Sequence, residues 1–267
     1  MSLETARMLM VTLGFWLGAC LGSFANAAAM RTVAEKKWWG SERSTCDSCG
    51  AVLSIGEIVP VFSYLIQLGK CRHCGAKIAS RHFFTELGAG IVGMLFAWHW
   101  GINLAPLGLS FVALLFLLFC SLTDLETGYI YDSWAIAMAV AGIVLRVFGG
   151  WPAMLDGALG AALGFGFIFL IVIVSRGGMG FGDAMLMLGV GAVFGWKMTI
   201  LCLYLGFFAG GIVTIPMLIM KKATRKTAVP LGPFLAAGSI IAIFTAQPIF
   251  GFLGFDLPWP WYMSNLF

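Results

Sequence analysis

Eight apolar runs, most of them near the length of a bilayer crossing, recur along this chain of 267 residues. They lie close to 8–30, 83–101, 106–123, 134–149, 153–174, 184–196, 199–220 and 233–253, and the sixth is the shortest. A hydrocarbon core of about 30 Å takes about 20 helical residues to cross. With only 10% of residues charged and a mean hydropathy of +0.95, the chain has too little polar surface to wrap such runs in a soluble domain. In lipid the backbone must satisfy its own hydrogen bonds, so each run is read as a helix. The fold class is therefore all-α and polytopic, with about eight transmembrane helices. Twenty-three phenylalanines and ten tryptophans suit lipid contact and interfacial anchoring. Glycines recur inside the runs, as in "LGACLGS" and "GALGAALGFGF". Small residues of this kind let helices approach closely in lipid, and no chemistry is assigned to them.

Basic residues set the orientation. Met1 to Leu9 carries no basic n-region and no A-x-A-type cleavage site follows, so the first run is read as a retained span. With the N-terminus outside, the cytoplasmic loops hold Arg31, Lys36, Lys37, Arg43, Lys70, Arg72, Lys77, Arg81, Arg176, Lys221, Lys222, Arg225 and Lys226. The outer side holds only Arg7, Arg146 and Lys197. Thirteen against three satisfies the positive-inside rule, and the reverse orientation would invert it. An even number of spans also puts the C-terminus, with its "PWPWY" aromatic belt, outside. The "KKATRK" run (221–226) reads as a topological anchor against lipid headgroups rather than a nucleic-acid contact.

One loop is long: residues 31–82, mostly polar, the single candidate for a separate module. It carries "CDSC" (46–49) and "CRHC" (71–74), two C-x-x-C pairs 21 residues apart. Each pair can aim two sulfurs at one ion, and Gly50 and Gly75 ease the turns that follow. Cys46, Cys49, Cys71 and Cys74 are therefore read as ligands of a closed, structural zinc site. The rival is a pair of disulfides, which a reducing cytoplasm disfavours. His73 lies inside the second knuckle and is read as a bystander. His82 and His99, at the ends of the second span, are read as interfacial packing. Cys20, Cys120 and Cys202 stand alone in apolar runs and behave as small hydrophobes.

Carboxylates are few. Asp124, Glu126 and Asp132 crowd "SLTDLETGYIYD", and Asp183 closes the glycine-rich "GMGFGD". By the topology above, Asp124 and Asp183 stand at the mouths of different helices on one membrane face. Ionisable groups at membrane depth are costly and tend to be functional. Two such acids can share a proton, one serving as base toward a water and the other donating to a carbonyl oxygen. Gly180 and Gly182 remove side chains beside Asp183 and would allow an extended substrate to approach. The competing reading makes Asp183 an N-cap for the helix that follows, and Asp132 another for the span from Ser133. Asp156, on the outer side, is read as a cap or headgroup contact.

Taken in order, these segments resemble the bacterial type IV prepilin peptidases, polytopic aspartic proteases of pilus and type II secretion systems. "LGSFANAAAMR" (21–31) is similar to the family's first span, and "CDSC" through "RHFFTELGAG" to its cysteine loop. "TDLETGYIYD" and "GMGFGDAML" resemble the two catalytic segments, the second being the G-x-G-D signature. The resemblance implies Asp124 and Asp183 as the catalytic dyad and the four cysteines as zinc ligands. It implies a substrate, a prepilin or pseudopilin whose helix already sits in membrane lipid, cut at its basic leader on the cytoplasmic face. It further implies N-methylation of the new terminus from S-adenosylmethionine, with Arg81 and Glu86 the candidates for donor contacts. Departures from the family pattern are Tyr131 before Asp132, Met185 after the signature, Asp47 in the first knuckle and "SRHFF" (80–84). The last two touch the loop tied to methylation.

The expected organisation is a first transmembrane helix (1–30), a cytoplasmic zinc-binding, methyltransferase-associated module (31–82) and a transmembrane protease core (83–267). The expected place is the bacterial inner membrane, multi-pass, with both termini periplasmic and the active site facing the cytoplasm. Two other readings remain open at this point. One is an intramembrane aspartyl protease for other clients, against which the cysteine module argues. The other is a transporter or scaffold, against which the rim position of the acids argues.

Overall fold

The computed structural model describes residues 3–37, 43–175, 178–220 and 230–262. The basic run at 221–226 and Arg176 lie outside the described residues. Among the described residues the chain is helical apart from two isolated β-bridges. In chain order the helices are α1 (Leu3–Val33), α2 (Ile55–Ile58), α3 (Phe62–Ile66), α4 (Ser80–Trp100), α5 (Leu104–Thr127), α6 (Asp132–Arg146), α7 (Gly150–Ser175), α8 (Phe181–Phe194), α9 (Trp196–Ile219) and α10 (Gly232–Leu253).

Each apolar run of the sequence falls on one of α1 and α4–α10. Length and composition support five crossings among the described residues: Glu4–Val33, Leu104–Thr127, Asp132–Ser175, Trp196–Met217 and Gly232–Leu253. The third of these runs through both α6 and α7, with a 3-10 turn between them. Phe181–Phe194 is a shorter apolar helix. Eight is thus the number of helices on the apolar runs, and five the number of crossings that pass on length and hydropathy.

The chain forms two compact units, one running through Gly101 and the other starting at Ile102. In the first, α1 packs along α4. Gly14, Gly18 and Gly22, one turn apart, face Ala97, Gly93 and Ala89, also one turn apart. A β-carbon at Gly18 would run into the Ala89 carbonyl, so the two backbones touch directly. This seam is why the structural boundary falls at residue 101 rather than at 82: α4 belongs with α1.

In the second unit α8 is the axis. Eleven of its 14 residues are buried, Asp183 among them. Its Gly191 lies against the backbone of Gly160 on α7, so neither position has room for a β-carbon. Three expectations change at the far end of this unit. Arg146, read as an outer-loop charge, is fully buried, and Asp156, read as a cap, is its partner at 2.8 Å. Burying two charges is tolerable only when they are paired and hydrogen-bonded. Arg146 also donates from Nε and Nη1 to the carbonyls of Val193 (3.2 Å) and Ala153 (2.9 Å), while its buried Nη2 has no hydrogen-bond partner. Trp261, read as part of an interfacial belt, is 1% exposed and stacks on Phe194. Its indole N–H donates to the Phe194 carbonyl at 2.9 Å, which removes the reason to stay at a wet interface.

Candidate active site and metal centre

Asp124 lies one turn from the end of α5. That helix closes at Gly128, a left-handed C-cap whose N–H returns to the Asp124 carbonyl at 2.8 Å. A carboxylate so near a helix C-terminus meets the negative end of the dipole. The Asp124 side chain is 6% exposed, and its Oδ2 accepts the N–H of Gly232, at the start of α10, at 2.9 Å. Thr123 beside it is buried and turned back onto the Phe119 and Cys120 carbonyls.

Asp183 occupies the third residue of α8, not its cap. The N-cap is Gly180, whose carbonyl accepts the Asp183 N–H at 3.3 Å. Asp183 thus stands at N3, with its carboxylate free of the capping role. It is 8% exposed, and Asp124 lies near enough for its charge to act on it. Asp132 likewise is no cap: α6 starts at Asp132 itself, and Tyr131 holds the N-cap position.

Ile130, 2% exposed, lies against Gly182 at the start of α8 and Gly232 at the start of α10. A β-carbon on Gly182 would come within 2.9 Å of the Ile130 β-carbon, and one on Gly232 within 3.1 Å of its Cδ1. The bare face of Gly182 is thus filled by the α5–α6 loop, while a β-carbon on Gly180 would meet nothing nearer than the Asp183 Oδ2, at 3.6 Å. Gly182→Ala should therefore overpack the contact with Ile130 beside Asp183 and cost about 1–3 kcal/mol. Gly180→Ala should fold with near-normal stability. Thermal unfolding of the two variants in detergent checks the pair, and equal melting temperatures would contradict it. Sequence reasoning passed over Ile130 and Gly232. A usable signal existed at Gly232, because Gly-Pro opening an apolar run marks a helix start with outward N–H groups.

The four knuckle cysteines converge. Their sulfurs all lie within 4.8 Å of one another, with Cys46 and Cys74 at 4.0 Å, and all four are free thiols. Tetrahedral thiolate ligation at about 2.3 Å per bond places sulfurs about 3.8 Å apart. The knuckles are built alike. Cys46 and Cys71 each accept a turn-closing N–H, from Gly50 and Gly75, and each donates onward to Ala51 and Ala76. Both glycines have positive φ, 71° and 72°, which is why glycine stands there. Backbone N–H groups of Cys49 and Ser48 draw the Cys46 thiol down to about 6. At Cys74 the Ala76 N–H acts in the same direction, but burial and the three neighbouring thiols win and push it up to about 11. The four sulfurs could hold a metal ion, and a bound cation would favour their thiolate forms. His73 stays outside the cluster, its Nε2 3.3 Å from Glu57 Oε1. Glu57 is held low in turn by the Ser54 N–H and hydroxyl.

The same unit contains a cavity of about 450 Å³ whose walls include Ser23, Tyr64, Gln67, His82 and Glu86, with Cys46 and Cys71 at its edge. Glu86 is 8% exposed and joins three segments: it accepts the Ser23 hydroxyl on α1 and the Val61 N–H, both at 2.7 Å. Val61 holds φ at 65° there, a strained conformation for a β-branched residue. His82 Nδ1 pairs with the Asn26 amide nitrogen at 2.8 Å, and the buried Asn26 Oδ1 has no hydrogen-bond partner. Of the two residues named for donor contacts, Glu86 lines this cavity and Arg81 does not.

Residues 16–100 match the bacterial peptidase A24 N-terminal domain, and residues 111–215 match the type IV leader peptidase family. Proteins named prepilin leader peptidase/N-methyltransferase are similar over most of the chain. One from Pseudomonas putida is 29% identical, covering 90% of this chain and 92% of that protein. Another from Burkholderia pseudomallei is 30% identical, covering 89% and 86%. A third from Bacillus subtilis is 28% identical, covering 91% and 97%. No solved structure matches the chain.

Proposed function

The chain belongs to the type IV leader peptidase family, and from that premise we propose that it removes the basic leader of type IV prepilins or type II secretion pseudopilins and N-methylates the new N-terminus. It is a multi-pass protein of the inner membrane. In this reading both termini are periplasmic and the two acids face the cytoplasm, where a substrate helix already anchored in lipid presents its leader.

The observation that carries the proposal is the pair Asp124 and Asp183. Two buried carboxylates on different helices feel each other's charge, and Asp124 is aimed by the Gly232 N–H. Peptide hydrolysis asks this of an acid pair: one ionised group takes a proton from the attacking water while the other gives one to the carbonyl oxygen. The same pair then returns a proton to the leaving amine. Low exposure strengthens both exchanges.

The four-cysteine cluster suits zinc. Four thiolates close a tetrahedral site with no open position, so the metal's role is to hold the module, not to act on the peptide. The neighbouring cavity is the place proposed for S-adenosylmethionine, which supplies an activated methyl group when bound. Glu86, which lines the cavity, offers a buried carboxylate suited to a sulfonium. Incubating the purified protein with a prepilin and S-adenosylmethionine, read by mass, should yield a mature chain carrying one added methyl group. A precursor left intact overturns the peptidase reading. Cleavage without methylation overturns the second activity alone.

A further inference from the structure

Asp124 sits at the wrong end of its own helix. Near the C-terminus of α5 a carboxylate is opposed by the helix dipole, and it is buried as well. What offsets this comes from a helix that begins 108 residues later, where the Gly232 N–H meets Asp124 Oδ2 at 2.9 Å.

The local sequence "LGPFL" (231–235) explains why this one donor points outward. A helix start leaves several N–H groups without intrahelical partners. Here Pro233 has no N–H, while those of Phe234 and Leu235 both turn back to the Leu231 carbonyl at 3.0 Å. That leaves the Gly232 N–H for Asp124. Glycine is required at the position, because a β-carbon would stand 2.7 Å from Asp124 Oδ2 and 3.1 Å from Ile130 Cδ1. The carboxylate therefore lies in the space a side chain would fill. It is held by Gly232 and by its own helix.

We propose that Gly232 is a positioning residue for the aspartate pair, acting through Asp124: it fixes the direction of that carboxylate and supplies the positive end of α10 to it. This rests on Asp124 being half of the dyad. Held this way, the Asp124 carboxyl group is kept in register for a shared proton without a side chain being spent on it.

Gly232→Ala tests this in the full-length protein. The alanine N–H is still present, but its methyl group displaces the carboxylate. We expect kcat for leader removal to fall about 10²-fold, the cost of a misplacement of about 1 Å. KM should stay within about two-fold, since leader binding is not touched. The affinity of a non-cleavable hydroxyethylene peptide, which reads the dyad's geometry, should fall by about the same 10². Gly251→Ala on the same helix, where a β-carbon meets nothing within 4 Å, should change none of these. A packing role alone would lower stability without moving the split between kcat and KM or the inhibitor.

A second measurement stands if Gly232→Ala does not accumulate. In Asp124→Ala the Gly232 amide should exchange with deuterium at least about ten-fold faster than in the parent protein. Pro233 contributes no amide to that peptide, so the change is readable. Unchanged exchange, or a Gly232→Ala enzyme with normal kcat and normal inhibitor affinity, overturns the inference while leaving the dyad intact. Normal cleavage by Asp124→Asn removes the dyad reading instead, and the positioning role with it.

Discussion

Replacing either Asp124 or Asp183 with asparagine is expected to stop leader removal, with kcat/KM falling by at least about 10³-fold. The substitution changes one oxygen to nitrogen and removes the titratable proton. It need not disturb the fold. An asparagine at 124 still offers an oxygen to the Gly232 N–H, and one at 183 keeps the volume of the aspartate it replaces. Both variants should therefore accumulate, keep their metal and keep methylating a pre-cut prepilin. The two losses should be equal, and the double variant no worse than either single one, because groups acting as one unit fail together. Immunoblots of prepilin processing in cells and steady-state rates in detergent read this directly. A single variant that still processes prepilin at the normal rate ends the assignment of that residue.

The second large effect concerns the metal. Cys71→Ser should take bound zinc from about one ion per chain to near zero, because three thiolates no longer close the tetrahedron. Cys71 is 7% exposed and lies at the edge of the cavity that Glu86 lines. Losing the ion should loosen both knuckles and that wall, and methyl transfer should fall at least about 10²-fold, the upper end of what disturbing a metal's surroundings costs. Leader removal should stay within a few-fold. The reason is architectural: the cysteines belong to the unit that ends at Gly101, and both acids to the unit that starts at Ile102. Metal content by elemental analysis, alongside the two activities, decides it. Equal loss of cutting and methylation would refute the division of labour, and zinc-free active protein would refute the metal.

Much of this architecture was legible from periodicity and spacing. The apolar runs place α1 and α4–α10, and the paired C-x-x-C motifs announce a cluster whose sulfurs do converge. The acids were visible for the same reason, since a carboxylate in so apolar a chain needs an explanation. What stayed hidden depends on partners far apart in sequence. Arg146 and Asp156 read as separate surface charges, because nothing local shows that two helices bring them within 2.8 Å. Trp261 read as interfacial because its partner, the Phe194 carbonyl, is 67 residues away. Gly232 carries no functional group at all, so its contribution to Asp124 appears only once α5 and α10 are side by side. Gly182 showed the reverse: its missing side chain suggested open space, yet Ile130 occupies it.

The buried Arg146 has a mechanical consequence. Its guanidinium joins the last turn of α6 to the end of α8 through Val193 and to α7 through Ala153 and Asp156, with Gly195 pressed against both charges. Asp183 and the α6 entry lie at the opposite ends of those same helices. The arrangement is that of a clothes-peg: sprung shut at one tip, it can part only at the other. The charge pair thus pins the tip of the three helices that lies farthest from the two acids.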